Sequence, residues 1–373
     1  ALYDAITEKQ LTPIAAPVYD FSSIAKDEVF SFKAIFEIPP TVELGKYKDI
    51  PAEERSCKIT DQDVEDEVIS IREKYADVTK KDESGVVEKG DMIKLKVKRL
   101  DQEEDPKQNE YRDYSVVAGK AKDEYSLDKH AFGLKMGDEK EVTIKYPKNY
   151  TMKELAGQKA TYSIQVAEIS SMKLPEYDDE FAKKLNYSSI IEMTEKTREH
   201  MEKYIGEKAR GESKAIILRT IVESSKFDIP KTMIENEMNS IFKKTQQRIG
   251  IQNSEDTIDE FAAKFGLNTE EFKGKIEQEA IQSVKTSLTL SHIAKTEELQ
   301  VDEDKYKEVI ENIARSNNTS VEEIEKIIKQ NNSRENIEYE LLMDKAMDFI
   351  YENAKIKTLK PSSLDVFIQN EPK

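Results

Sequence analysis

The stretch Ser188-Ser189-Ile190-Ile191-Glu192-Met193 continues without proline to Ser224-Ser225 and closes on Phe227-Asp228-Ile229-Pro230; its reading decides how the rest of the chain is organised. Ile190, Ile191, Met193, Met201, Ile205, Ile216, Ile217 and Ile221 recur at spacings of three, four and seven with charges between them, the period of an amphipathic helix. At 1.5 Å per residue, an uninterrupted helix over 188–225 would be roughly 55 Å long, more than an ordinary globular domain needs. Gly206 and Gly211 are its weak points, each costing about 1 kcal/mol against alanine in a helix interior. Pro230 belongs in the first turn of a following helix, where its missing N–H needs no partner. The same pattern suits a plain bundle helix, so the flanking sequence has to decide.

Upstream, the period is two. Ile93, Leu95 and Val97 alternate with Lys94, Lys96 and Lys98, a strand with one wet face. Val142, Ile144 and Tyr146 repeat the pattern, as do Tyr162, Ile164 and Val166, with turns marked by Gly133, Gly137-Asp138 and Gly157. Before them, Thr60 opens a helix with Asp63 in a weaker version of the capping box and an apolar face of Val64, Val68, Ile71 and Tyr75. Residues 52–171 therefore predict a small antiparallel sheet domain with one or two helices. Earlier still, Phe30, Phe32, Ala34 and Phe36 read as a half-buried strand, and residues 1–40 are too few to bury a core alone.

Downstream of Met172 strand patterns cease. Asn268 with Glu271, and Ser320 with Glu323, open helices, and Ser333 can cap another carrying Ile337, Leu341, Phe349 and Ile350. Residues 173–373 predict six to eight helices and no sheet.

Charged residues make up 36% of the 373, apolar ones 37%, and mean hydropathy is −0.71. Several modest cores suit these values better than one large one. The 75 acidic residues against 58 basic ones give a net charge of −17, the wrong sign for neutralising phosphates, so nucleic acid is not expected as a direct partner. No run of about 20 apolar residues is present, so no membrane span is expected. The single cysteine, Cys57, allows no internal disulfide and fits a reducing compartment. His130, His200 and His292 stand far apart and form no metal motif; no phosphate loop or nucleophile elbow occurs. No cofactor or metal is expected.

Three stretches then carry a resemblance: 30–43; Lys173-Leu174-Pro175-Glu176-Tyr177-Asp178-Asp179-Glu180-Phe181-Ala182; and Phe227-Asp228-Ile229-Pro230-Lys231-Thr232-Met233-Ile234-Glu235-Asn236-Glu237. In order and spacing they resemble trigger factor, the bacterial ribosome-associated chaperone family. The resemblance implies an α+β multidomain plan: residues 1–43 a remnant of the ribosome-binding domain, 44–172 an FKBP-like prolyl isomerase domain, and 173–373 an elongated all-α chaperone body with arms. The family's Gly-Phe-Arg-x-Gly-x-x-Pro docking loop is not found in these residues, which open at Ala1 without a methionine, so the expectation is either that an N-terminal portion is missing or that the docking contact has been lost.

Tyr146-Pro147-Lys148-Asn149-Tyr150 resembles the family's Phe-Pro-x-x-Tyr, and Tyr162 sits where the last pocket aromatic belongs; with Phe132 they are the candidate isomerase pocket. The family's pocket floor reads here Glu124-Tyr125-Ser126-Leu127, the Phe/Tyr-x-Gly reads Val97-Lys98-Arg99, and a glycine-free acidic segment, 101–105, leads to Tyr111 and Tyr114. Catalysis of this type needs a dry aromatic pocket that favours the twisted amide over the planar one, so weak or lost isomerase activity is expected. The resemblance implies an ATP-independent, cytoplasmic chaperone that holds unfolded or nascent polypeptides, with the ribosome as a partner if the docking loop exists, and leaves a homodimer open. Candidate client contacts are Met233, Met238, Ile241, Phe242, Phe261, Phe265, Phe272, Ile350 and Phe367, which helical spacing does not distinguish from bundle core. Two alternatives stay open: a working FKBP-type isomerase, and a helical adaptor for one folded partner.

Overall fold

A computed structural model of the chain describes residues 2–9, 11–21, 32–101, 110–121, 123–251 and 255–369. By internal packing they divide into two units, one of residues 1–58 with 205–373 and the other of 59–204. The fold is α+β.

The chain begins with α1 (Leu2–Glu8) and an antiparallel pair, β1 (Val18–Phe21) and β2 (Phe32–Ile35), in which Val18 faces Ile35 and Phe21 faces Phe32. Phe30 of the expected strand lies outside the described residues. β1 has no sequence signal of its own beyond four residues, and Val18 and Ile35 are exposed. Two short strands follow, β3 (Val42–Glu43) and β4 (Pro51–Glu54).

The second unit opens with α2 (Asp61–Lys74). Thr60 and Asp63 close a reciprocal capping box, and Val64 and Val68 are buried as expected. The sheet is β5 (Asp77–Lys80), β6 (Met92–Arg99), β7 (Arg112–Val117), β8 (Glu139–Lys145) and β9 (Lys159–Lys173). Its order is β5-β9-β6-β7 with β8 also on β9, every pair antiparallel. The 15-residue β9 is long enough to pair β8 through its first half and β5 through its last, with a bulge opposite Lys94 and Leu95. Period-two alternation puts Ile93, Leu95, Val142, Ile144, Ile164, Val166 and Ile169 into one core. α3 (Asp179–Lys184) follows, with Asp178 accepting from the Phe181 amide at 2.9 Å.

α4 (Ile190–Ser224) runs for 35 residues through Gly206 and Gly211, and the division between units falls inside it. Asp179 accepts from the Ile190 amide at 2.8 Å and Glu192 from the Ser188 amide at 2.7 Å, satisfying donors at its start. Of its expected apolar face, Met193, Ile205, Ile217 and Ile221 are buried, whereas Ile191 is exposed.

Beyond it lie β10 (Lys226–Phe227), α5 (Lys231–Arg248), α6 (Ile258–Lys264), α7 (Thr269–Thr296), α8 (Glu303–Ser316), α9 (Val321–Gln330), α10 (Arg334–Glu352), β11 (Lys355–Thr358) and α11 (Leu364–Gln369). Asn268 and Ser320 cap α7 and α9 as expected; Ser333 makes no capping hydrogen bond. The expectation of no sheet after residue 173 is corrected. β10 pairs β3, and β11 pairs β4 in parallel, Lys355 with Pro51 through Thr358 with Glu54. Two- and four-residue strands carry too little alternation to register in the sequence. Ile50 and Ala52 consequently join Ile217, Ile221, Ile293, Ala346 and Ile350 in the main helical core. Two smaller cores sit in α5–α7, around Met238, Phe242 and Phe261, and in α8–α9, around Tyr306, Ile310 and Ile324.

Candidate functional sites

In the sheet unit, a tight turn presents Tyr150. The Tyr150 amide donates to the Pro147 carbonyl at 3.1 Å, and the Gly157 amide to the same oxygen at 2.9 Å. Gly157 adopts φ +73°, a conformation that glycine reaches without steric cost. The Tyr150 ring packs 4.6 Å from Tyr146 and 5.6 Å from Tyr125, and its hydroxyl donates to Asp123 at 2.6 Å. Burial, helped by the Asp123 carboxylate, pushes the Tyr150 hydroxyl up to about 12. The Tyr146 hydroxyl donates to Tyr162 at 3.3 Å, and burial followed by that contact pushes it up as well. The structure thus joins the sequence-predicted Tyr150 and Tyr162 through Tyr146, which the sequence places both in the strand core and at the head of the Phe-Pro-x-x-Tyr-like stretch.

Tyr162 lines a hollow of about 350 Å³ with Val97, Leu127, Tyr114, Arg99, Arg112, Glu110 and Asp113. Tyr150 is not in this lining. Phe132, the third candidate, is not in it either; its ring edge lies 3.0 Å from the position a Cβ on Gly119 would take. Leu127 and Val97 come from stretches identified in the sequence, and of the acidic segment 101–105 only Asp101 is described. Asp101 accepts both ends of the Arg99 guanidinium, at 2.9 and 3.1 Å, and that guanidinium holds the Asp101 carboxyl below the usual range. Tyr111 turns elsewhere, donating to Glu139 at 2.7 Å. Two guanidiniums and two carboxylates share the lining. A charged hollow gives a twisted, less polar amide little advantage over a planar one.

In the helical part, α5, α6 and α7 enclose a hollow of about 640 Å³. Ile234, Met238, Phe242 and Ile258 supply its apolar surface, while Glu235, Glu255, Asp256, Asp259 and Glu277 with Lys231, Lys243 and Lys273 supply its charge. A second hollow of about 340 Å³ is lined by Met233, Val284, Leu288 and Tyr339 among polar neighbours. Of the candidate client contacts, Met233 lines this second hollow, and Met238 and Phe242 form the floor of the first while being more than nine-tenths buried. Ile241 and Phe272 are half-buried against the same cluster. Phe261 is buried between Phe242, at 5.2 Å, and Phe265, at 4.6 Å, and Phe265 is 53% exposed. Ile350 and Phe367 are fully buried, so the structure packs them as core: Ile350 in the main helical core, Phe367 beneath the Arg55 guanidinium at 4.1 Å.

Sequence reasoning missed the exposed Ile249 and Leu267. A signal for both exists. Ile249-Gly250-Ile251 and Phe265-Gly266-Leu267 share an apolar-glycine-apolar pattern, with both glycines at positive φ. The Ile251 amide donates to Gln246 and the Leu267 amide to Ala262, each at 2.9 Å, the glycine-ended helix stop that carries apolar residues past a helix end.

No group of three or more metal-ligating side chains occurs among the described residues, and no helix there is long and apolar enough to cross a membrane. Fold and sites together define an α+β protein of two packing units whose helical part offers open hollows lined by both apolar and polar or charged side chains. Comparison with known proteins narrows the class. The model described as bacterial trigger factor protein matches residues 1–71, and the model of the trigger factor C-terminus matches 189–352. Trigger factor of Bacillus licheniformis is 31% identical over 351 residues, 94% of this chain and 81% of that one. Trigger factor of Caldicellulosiruptor saccharolyticus is 30% identical, over 94% of this chain and 79% of its own. A solved structure reported for promiscuous substrate recognition by the trigger factor chaperone is 19% identical, covers 94% of this chain and 82% of that one, and has a TM-score of 0.43. The chain belongs to the trigger factor family.

Proposed function

We propose that this chain is a holding chaperone of the trigger-factor type, binding unfolded or nascent polypeptides without nucleotide through the helical part, in the cytoplasm. The observation that carries this reading is the placement of apolar side chains in solvent at glycine-ended helices: Ile249, Phe265 and Leu267 lie 44–53% exposed. Exposed apolar groups beside charged ones hold many sequences weakly, because apolar burial is non-directional. In this reading, residues 1–43 belong to a ribosome-binding part, 44–172 to the isomerase-like part and 173–373 to the chaperone body. Met233, Phe265, Ile241 and Phe272 are the earlier candidates that solvent reaches, and they are the proposed contacts. Met238 and Phe242 contribute as the floor of the larger hollow.

The test is suppression of aggregation across several unrelated unfolded proteins in the absence of ATP. The Phe265→Ser/Leu267→Ser double variant is expected to lose most of that suppression while its melting temperature stays within a few degrees of wild type. Protection of one protein alone would instead favour an adaptor for a single folded partner.

A second reading has the hollow at Tyr162 in its favour: residual prolyl isomerase activity. We expect a rate far below that of an FKBP-type domain with the full motif. A protease-coupled peptide assay showing a comparable rate, lost in Tyr162→Ala, would make the sheet unit an enzyme.

A further inference from the structure

We infer that residues 359–369 form a strap that closes over the tether 55–58 and opens by itself while the helical core stays folded, with Arg55 as its clasp. Residues 55–58 are the last of the first unit before the chain enters the sheet unit. The inference stands apart from the holding reading.

The strap begins where β11 ends. β11 itself is anchored, because Ile356 packs against the main helical core opposite the buried Ala52. Past β11 the chain runs along the tether. The Leu359 amide donates to the Glu54 carbonyl at 2.8 Å, and the Ser56 hydroxyl to the Leu359 carbonyl at 3.1 Å. The Ser362 amide donates to the Ser56 carbonyl at 3.0 Å, and the Lys58 amide to the Ser362 carbonyl at 3.1 Å. Cys57 lies opposite Ser362 in the same ladder.

α11 adds one anchor. Phe367 is fully buried, whereas its neighbours Val366 and Ile368 are 47% and 51% exposed. The Arg55 guanidinium lies 4.1 Å over the Phe367 ring, donates to the Phe367 carbonyl and pairs with Glu212 of α4 at 3.2 Å. One side chain thus ties tether, strap and α4 together. A terminal segment held by one buried side chain and a few backbone bonds opens at a lower free energy than the whole fold. Closed, the strap fixes the course of the tether; open, it gives the paired groups of 54–58 to water.

Cys57, the chain's single cysteine and half-buried, reports the opening. The rate at which an aromatic disulfide reagent labels it is followed in the folded full chain, from zero urea to just below the melt. The wild-type rate is expected to change little over that range, because a local opening exposes little surface. Phe367→Ala is expected to speed labelling about a hundredfold. Arg55→Lys, which keeps the charge and loses the fork, is expected to speed it about fivefold. Ile350→Ala, in the main helical core, is expected to lower the melting temperature and leave the rate in zero urea unchanged. A wild-type Cys57 that labels as fast as a small free thiol overturns the closed strap. A rate that climbs with urea in step with global unfolding, or that Ile350→Ala raises as much as Phe367→Ala does, makes residues 359–369 part of the core and the inference falls. Should Phe367→Ala not fold, Arg55→Lys decides, and an unchanged rate there overturns the clasp.

Discussion

The hollow at Tyr162 and the hollow of α5–α7 are both part apolar and part charged, and they differ in what their polar groups already hold. In the sheet unit the groups near the hollow are engaged inside the unit: Tyr150 with Asp123, Tyr146 with Tyr162, and Arg99 with Asp101. In the helical part, Gln246 keeps an unspent donor, and Phe265 extends a buried aromatic stack into water. A satisfied polar network stabilises its own fold and has little left for a ligand. Unspent donors and exposed apolar surface lower the stability of the free protein and are recovered on binding. On the proposed reading, the sheet unit is the self-satisfied part and the helical part the one that binds.

That contrast can be broken most forcefully at the floor of the helical hollow. Phe242→Ala is expected to cost about 3–5 kcal/mol, the range for deleting a buried phenylalanine side chain, visible as a large fall in the denaturant midpoint. Ile350→Ala, in the main helical core, is expected to cost about 2–5 kcal/mol (the same measurement checks both). A loss under about 1 kcal/mol at either site would mean the side chain is surface and the assignment to core is wrong.

A smaller effect should come from Tyr150→Phe, which removes the hydroxyl from Asp123. About 1 kcal/mol is expected for one such bond, with aggregation suppression untouched. The pH dependence sharpens the point. The folded Tyr150 hydroxyl is raised from 10.0 to about 12, so its contribution to stability is complete below about pH 10 and lost as pH rises toward 12. The gap between wild type and Tyr150→Phe, followed by denaturant melts across that window, should therefore close. A gap that widens would place Tyr150 outside the buried cluster. Thr60→Ala, which opens the capping box of α2, should cost about 1 kcal/mol and move neither holding nor isomerisation.

Much of the fold was legible because periodicity survives in single residues. The three- and four-residue spacing gave α4, and the alternation through Ile93, Leu95 and Val97 gave β6. Thr60, Asn268 and Ser320 marked helix starts by their own side chains. β1, β10 and β11 were not legible, because two to four residues carry no period, and β3, β4, β10 and β11 are set by partners more than 180 residues away. The candidate contacts were legible as apolar helix positions, not as surface or core. Phe261 and Phe265 are four residues apart in one sequence pattern, yet one is 3% and the other 53% exposed. What separates them is a glycine that ends the helix, a signal present in the sequence and passed over. Tyr162 and Tyr150 were placed by motif, but their link through Tyr146 depends on the register of β8 against β9. Gln246 carried no signal at all, since burial of a helical glutamine is decided by what packs over it.

The central claim, that holding resides in the helical part and not in the sheet unit, is tested most directly by two variants measured side by side against the same panel of aggregating proteins without ATP. Phe265→Ser/Leu267→Ser alters the exposed helical surface; Tyr162→Ala alters the hollow of the sheet unit. The account predicts that the first loses most of its aggregation suppression at nearly unchanged melting temperature, while the second retains it. Suppression kept by the first and lost by the second, with both proteins folded, would contradict it.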